Sequence, residues 1–410
     1  MEYRISNKLA ALKPSAIREI FKSLSDPSII AFAAGNPAAE SFPVEALAEI
    51  TADIFANEPV KALQYGQTEG YPPLREAVNK RLAEKFSIGC SVEKGDKYND
   101  TTLIVSGGNQ GIELACKVLC NEGDIVLCED PSFIGALNAF RSNGAITKGI
   151  PLRDDGIDTD ILESTLAADR AGENKIKMLY LIPTFHNPAG ITTTLAVRKK
   201  VYEIAVKYEL VILEDNPYGE LRFAGEEIPT IKSMDTEGLV LYCSSFSKIL
   251  SAGRRIGFIT GPEKLMQKMV VAKQGEDVHT TQLFKMLCHR FVTERDLDGH
   301  IEMIRAIYRR KCGIMMKGLD ENLPKSFKFT RPEGGLFVWC TLPDGMDSGE
   351  FAKFAISKKI AVVPGSTFNC DTKAPSDSFR INYSTPSDEQ IVNGVKTLAE
   401  AAREYIASKR

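Results

Sequence analysis

The chain has 410 residues, 43% hydrophobic and 26% charged, with a net charge of -3 and a pI near 6.0. That length exceeds one simple core, so two domains are expected, and the composition is that of an ordinary soluble globular protein. No long basic run, no membrane-length apolar stretch and no signal-peptide pattern occurs, which argues against nucleic acid or a membrane as main partner and for a cytoplasmic home.

In chain order, "KPSAIREIFKSLSDPSII" predicts an amphipathic helix with Ile17, Ile20, Phe21 and Leu24 on one face and Arg18 as its only arginine. "IIAFAAGNPAAESFP" (29–43) reads as a loop-rich arm. Tyr65, in "LQYGQTEGYPPLREAV", sits on a loop entering a helix, exposed or else a plain core tyrosine. Short apolar runs then alternate with longer amphipathic ones. The runs are 101–106, 124–130, "AITKGIPL", 177–183, 210–215, 238–244 and 255–261. Such runs, rich in β-branched residues and bounded by Gly, Asp or Pro, predict strands buried on both faces. The alternation predicts a mostly parallel seven-stranded sheet covered by helices. Beyond Gly261 come long helical segments. "FKFTRPEGGLFVWCTLP", "KIAVVPGSTF" and "SFRINYST" then alternate apolar with polar residues, as a half-exposed sheet in a smaller α+β domain would. The expected division is an N-terminal arm or lid (1–30), a large domain (46–285) and a small domain (31–45 with 286–410). Nine cysteines without a CxxC, and only four His, give no zinc pattern, so no metal is expected.

Ligands of an open α/β sheet collect at the carboxyl ends of its strands. There the sequence places "GGNQG", a turn that opens a helix as an anion site or is simply tight. It also places Asn187 in "TFHNPAG" and Asp215 before "NPYGELRF". Alone, Asp215 reads as a cap or half of an ion pair, since an unpaired buried charge is costly. Finally, "SSFSKILSAGRRIGF" sets Lys248 among hydroxyls and two arginines, as phosphate ligand or nucleophile. Phosphate donors, Asn, Asp with Tyr, and Lys converging on one crevice point to a cofactor with a phosphate, a ring nitrogen, a ring hydroxyl and an aldehyde. Pyridoxal 5'-phosphate has all four.

The motifs "YGQTEGYPPLREAV", "SGGNQGIEL", "EDPSFIGAL", "PTFHNPAG", "EDNPYGELRF", "SSFSKILSAGRRIGF" and "SFRINYS" follow one another in this order. With them the chain resembles fold type I pyridoxal-phosphate aminotransferases of class I/II, and most of all the α-aminoadipate, kynurenine and aromatic branch. The resemblance covers nearly all of the chain. It implies that Lys248 carries the cofactor and acts as acid and base, that Asp215 pairs with the ring nitrogen, and that Asn187 and Tyr218 hold the ring hydroxyl oxygen. It assigns the phosphate to Ser245, Ser247, Arg255 and the backbone N–H groups of Gly108 and Asn109. Phe133 is implied to stack on the ring, and Tyr65 to reach the partner's phosphate in a homodimer. Arg380, with Asn187 and Gly35, is implied to hold the substrate carboxylate; Arg18 would meet a distal carboxylate or else only solvate the outer face of its helix. The implied activity is transfer of an amino group from a large α-amino acid to a 2-oxo acid such as 2-oxoglutarate. A decarboxylase, a carbon–sulfur lyase and a regulator's aminotransferase-like domain are the rivals. Four positions depart from the family pattern: His186 replaces Gln, Phe133 replaces Tyr, Gly108 replaces Ser, and "AAGNP" brings Asn36 to the substrate mouth.

Overall fold

The computed structural model describes residues 3–10, 12, 26 and 28–409. The predicted N-terminal helix, with Arg18, lies outside the described residues.

The strands among the described residues are β1 (Ile30–Ala31), β2 (Asp100–Val105), β3 (Ile125–Asp130), β4 (Ile146–Arg153), β5 (Gly156–Ile157), β6 (Ile176–Leu181), β7 (Val211–Asp215), β8 (Val240–Ser245), β9 (Gly257–Pro262), β10 (Lys328–Phe329), β11 (Phe337–Thr341), β12 (Ile360–Ala361), β13 (Val363–Pro364) and β14 (Ser378–Asn382). The large sheet has eight strands in the order β2-β9-β8-β7-β6-β3-β4-β5. Seven are the predicted ones, and the eighth, β5, is a two-residue edge strand antiparallel to β4. From β8 through β7, β6 and β3 to β4 every pairing is parallel. β9 runs antiparallel to both β8 and β2. The connection 246–256 carries Lys248 and is too short for a crossover helix, so the chain returns alongside the strand it has just left.

Both sheet faces are apolar, as continuous rather than alternating runs require. Val105, Cys128, Tyr180, Leu213 and Ile259 pack in one core with residues of the helices Gly108–Leu119, Ile134–Ser142 and Glu263–Gln274. Leu127, Leu179, Ile212 and Val240 pack in another with residues of Thr159–Ala171 and Leu195–Tyr208. Each fully buried Leu or Ile here contributes about 1.5–3 kcal/mol relative to an exposed one. Asp158 and Thr194 cap these last two helices by accepting from Ile161 and Val197 N–H.

A four-stranded antiparallel sheet, β10-β11-β14-β13, follows in the C-terminal part. The half-exposed pattern expected of it fails at β14, where all five residues are buried. Phe379 and Ile381 enter a core shared with the helices Leu297–Asn322 and Asp388–Lys409. The opposite face carries Arg380 and Asn382, and it is covered by residues 32–36: Asn382 N–H donates to Phe32 O at 2.9 Å, and Arg380 Nη2 to Ala33 O at 3.1 Å. Polar residues on a strand mark solvent only when nothing else needs them. The 29–43 arm is mostly irregular, as expected, but β1 within it pairs in parallel with β12.

Candidate active site

The carboxyl ends of β6, β7 and β8 and the loops beyond them surround one crevice. On its floor, Asp215 ends β7 and is 4% exposed. Its partner is a phenol, not the arginine or cap that a lone carboxylate suggests: Tyr180 O–H, from β6, donates to Oδ2 at 2.7 Å. Burial pushes the Asp215 carboxyl up to about 7; the Tyr180 bond opposes that rise and the charge of Glu129 adds to it. Glu129 is buried on β3, where it accepts from Ile182 N–H at 2.7 Å and lies 3.1 Å from His186 Nε2. His186 Nδ1 accepts from Ala189 N–H at 3.2 Å, which puts the ring proton on Nε2, facing Glu129. His186 is thus a local hydrogen-bonding residue of its turn.

At the far side, β2 leads through Gly107 into the helix starting at Gly108, whose first N–H groups, including those of Gly108 and Asn109, lack intrahelical acceptors. Ser245 Oγ and Ser247 Oγ are 2.6 Å apart, Arg255 Nη1 reaches Ser247 Oγ at 3.5 Å, and Arg255 Nη2 reaches Ser106 O at 3.4 Å. Gly107 has φ +86°, and a Cβ there would lie 2.0 Å from Arg255 Nη2. Only glycine lets the guanidinium lie across this turn. Hydroxyls, an arginine and free N–H groups form a cup suited to a phosphate dianion.

Lys248 is half-buried, and its Nζ donates to Gly35 O at 2.8 Å and lies 5.9 Å from the Tyr218 ring. Burial, with Arg380 and Arg255 nearby, lowers its ammonium to about 8, so the free amine is accessible near neutrality. Tyr218 is buried, and that burial pushes its phenol upward, while Arg380 and Asn187 pull the other way. Arg380 is 3% exposed, between the rings of Phe337 (4.2 Å) and Phe368 (5.0 Å). Its Nη1 donates to Asn187 Oδ1 at 2.7 Å, and its Nε is buried without a partner. Burial lowers the guanidinium to about 10, still charged at neutrality.

Phe133 caps the helix Ile134–Ser142 at the crevice edge, where a Cβ on Gly135 would meet both its ring (2.4 Å) and Asn109 Oδ1 (3.0 Å). Tyr65 stands apart. It is 81% exposed and packs edge-on against His279 at 5.8 Å, so it is not a core tyrosine. Asn36 is exposed, its carbonyl accepting from Ser384 Oγ at 2.6 Å. Among the described residues the site thus assembles every predicted position except Tyr65, which faces outward; Arg18 lies outside the described residues. The sequence reading passed over Tyr180 and Glu129, and it took Gly107 only as part of a turn.

The anion cup, the buried carboxylate, the amine of depressed basicity and the unpartnered Arg380 Nε match the donors that pyridoxal phosphate with an amino acid requires. Comparison with known proteins agrees. Residues 27–398 match the family Aminotransferase class I and II. The chain belongs to that family. It is a pyridoxal-phosphate-dependent aminotransferase of fold type I. This aminotransferase is 39% identical to aromatic-amino-acid aminotransferase 1 of Thermococcus litoralis over 98% of this chain and 95% of that one. It is 37% identical to 2-aminoadipate transaminase of Thermus thermophilus, over 97% and 96%. It superposes on the kynurenine aminotransferase of Pyrococcus horikoshii, solved in complex with PMP, with a TM-score of 0.93, 37% identity and coverage of 98% and 97%. Among the described residues no helix is long and apolar enough to cross a membrane, and no group of His, Cys, Asp and Glu could hold a metal ion.

Proposed function

We propose that this aminotransferase uses Lys248 to carry the cofactor and to move the proton between the substrate Cα and the cofactor C4′. Bound pyridoxal phosphate supplies an electron-poor ring that takes up the electron pair left when the Cα proton departs. The chain's residues do the rest. Asp215, ionised opposite a protonated ring nitrogen, keeps that ring electron-poor. Asn187 and Tyr218 hold the ring hydroxyl oxygen, and Phe133 packs on the ring face. Ser245, Ser247, Arg255 and the N–H groups of Gly108 and Asn109 hold the phosphate. Arg380 binds the substrate carboxylate through its fork, helped by Asn187 and the backbone of Gly35. With the substrate held, Lys248 Nζ leaves Gly35 O and takes the Cα proton. Its depressed basicity suits both acceptance and return of a proton near pH 7. The convergence of Lys248, Asp215 and Arg380 on one crevice carries this reading.

The proposed donor is a large amino acid, aromatic or 2-aminoadipate-like, with a 2-oxo acid such as 2-oxoglutarate as acceptor. The names of the relatives support it, and Arg18 would meet a distal carboxylate. The proposed assembly is a homodimer in which Tyr65 reaches the partner's phosphate. Tyr65, Leu63 and Val60, exposed by 81%, 72% and 75%, form an apolar patch of the kind that marks interfaces. The division into 1–30, 46–285 and 31–45 with 286–410 is kept as the proposed domain organisation. A reducing cytoplasm suits nine free thiols. Borohydride reduction of the holoenzyme, followed by peptide mapping, tests the central assignment. The label should fall on Lys248, and a label on Lys264 or Lys268 would sink it.

A further inference from the structure

Tyr180 is fully buried in the middle of the large sheet, and its hydroxyl is not needed for packing. The ring is gripped by Phe140, edge-on at 5.4 Å, and lies in an apolar core with Val126, Met178 and Leu213. A phenylalanine would fill that space without having to bury a phenol. The register places Tyr180 between Leu213 on β7 and Cys128 on β3. Leu213 and Asp215 share a strand face, so Tyr180 and Asp215 stand on the same side of adjacent strands. The 2.7 Å bond to Oδ2 follows from that geometry, and among the described residues Oδ1 accepts from no protein donor.

We infer that Tyr180 is the positioning residue for Asp215: its hydroxyl fixes Oδ2, leaves Oδ1 for the cofactor's ring nitrogen, and keeps the carboxylate ionised so that the ring nitrogen keeps the proton they share. The inference rests on the role of Asp215 proposed above.

The groups facing Asp215 show why such a donor is required. Burial favours the neutral acid, and Glu129 from β3 disfavours a second negative charge. Glu129 is occupied by Ile182 N–H and faces His186 Nε2, so it acts on Asp215 only through its field. Cys243 from β8 and Tyr218 beyond β7 also stand close enough to feel the Asp215 charge. Both are held in their neutral forms by burial and do nothing to offset Glu129. Among these neighbours Tyr180 alone favours the ionised form. Without its hydroxyl, Asp215 becomes more basic and draws the shared proton away from the ring. A less protonated ring is a weaker electron acceptor, so Cα–H cleavage slows while substrate binding, governed by Arg380, does not.

The test is Tyr180→Phe holoenzyme reconstituted with cofactor labelled with ¹⁵N at the ring. The ring resonance should move from the protonated position of the wild type toward that of neutral pyridine. In parallel kcat should fall about 10–100-fold, the worth of one hydrogen bond to a charged group, with KM for the amino donor little changed. Phenylalanine keeps the packing, so a purely structural tyrosine would leave the resonance in place, and an unmoved resonance with wild-type kcat overturns the inference. A second measurement does not depend on turnover. Apoprotein of the variant should bind the cofactor more weakly than wild type, yet bind a 1-deaza analogue, which has no ring nitrogen, as tightly as wild type does. Equal weakening toward both ligands also overturns the inference. If the ring is unprotonated already in the wild type, the role of Asp215 itself falls.

Discussion

Asp215 and Arg380 are 4% and 3% exposed, whereas Tyr65 is 81% exposed and Arg255 and Asn109 also lie open. The floor of the crevice and the open residues at and beyond its edge are tuned by different means. On the floor, burial and fixed neighbours set the charge states: Asp215 is lifted to about 7 and Lys248 lowered to about 8, within reach of neutral pH. At the edge, Arg255 and the Gly108 helix start act through their position. A floor of this kind is costly to the folded chain, since it holds charges that burial disfavours. An edge of this kind costs little and waits for phosphate or a partner.

Three substitutions test this contrast. The largest effect is expected on the floor, where Asp215→Asn should lower kcat by about 10²–10³-fold, as removal of a main electrostatic stabiliser does. The same change should stabilise the apoprotein. The folded carboxyl at about 7 lies above its ordinary 3.8, so the native state holds more protons than the unfolded one in between. Wild-type stability therefore falls as pH rises from about 4 to about 7. Melting curves of the two apoproteins should separate across that window, Asp215→Asn melting higher at pH 8. Curves that stay parallel would mean that the floor carries no such cost.

Next comes Arg380→Lys, which keeps the charge and loses the planar fork. About 10–100-fold should be lost in kcat/KM, with cofactor affinity unchanged, because the phosphate cup is at the other side. A drop in cofactor affinity instead would show that floor and edge are not independent.

The smallest effect belongs to the edge. Tyr65→Phe should weaken cofactor binding about 3–10-fold, the value of one exposed hydrogen bond to a phosphate. Mixing Tyr65→Phe chains with Lys248→Ala chains decides whether sites are shared. In a mixed dimer the second chain brings an intact Tyr65 to the first chain's site, so wild-type cofactor affinity should return there. No recovery would put Tyr65 outside the partner's site.

Much of the fold was legible because strands buried on both faces announce themselves as unbroken apolar runs, and seven of eight were read this way. Their mostly parallel run was legible too, from the helical segments between them, but the exception at β9 was not. That β9 runs antiparallel depends on the short 246–256 connection rather than on any residue within the strand. The alternation in "SFRINYS" was legible and set Arg380 on the polar face, but how completely that face is covered was not. The polar face belongs to the site, and the residues 32–36 that cover it lie more than three hundred positions away. Lys248, Asp215 and Asn187 stood out as polar residues at strand ends. Tyr180 did not, because a tyrosine inside "KMLYLIP" looks like one more core aromatic. A phenol buried in a doubly covered strand must find an acceptor, and asking for it would have led to Asp215 on the next strand. Gly107 was seen as part of a turn, but the guanidinium that requires it comes from 148 positions later.

The covering of β14 by residues 32–36 has a consequence for synthesis. The bond from Arg380 to the Ala33 carbonyl joins residues 347 positions apart. A ribosome adding about 5–20 residues per second needs roughly 20–70 s to make the stretch between them. Throughout that interval Phe32, which ends fully buried, has no strand to lie against. The nascent chain thus carries an unsatisfied apolar segment while the large sheet is being made. Such a segment is a natural handhold for a chaperone, and it is withdrawn only once β14 and the helix Asp388–Lys409, whose Gly394 lies against the Phe32 ring, have been made.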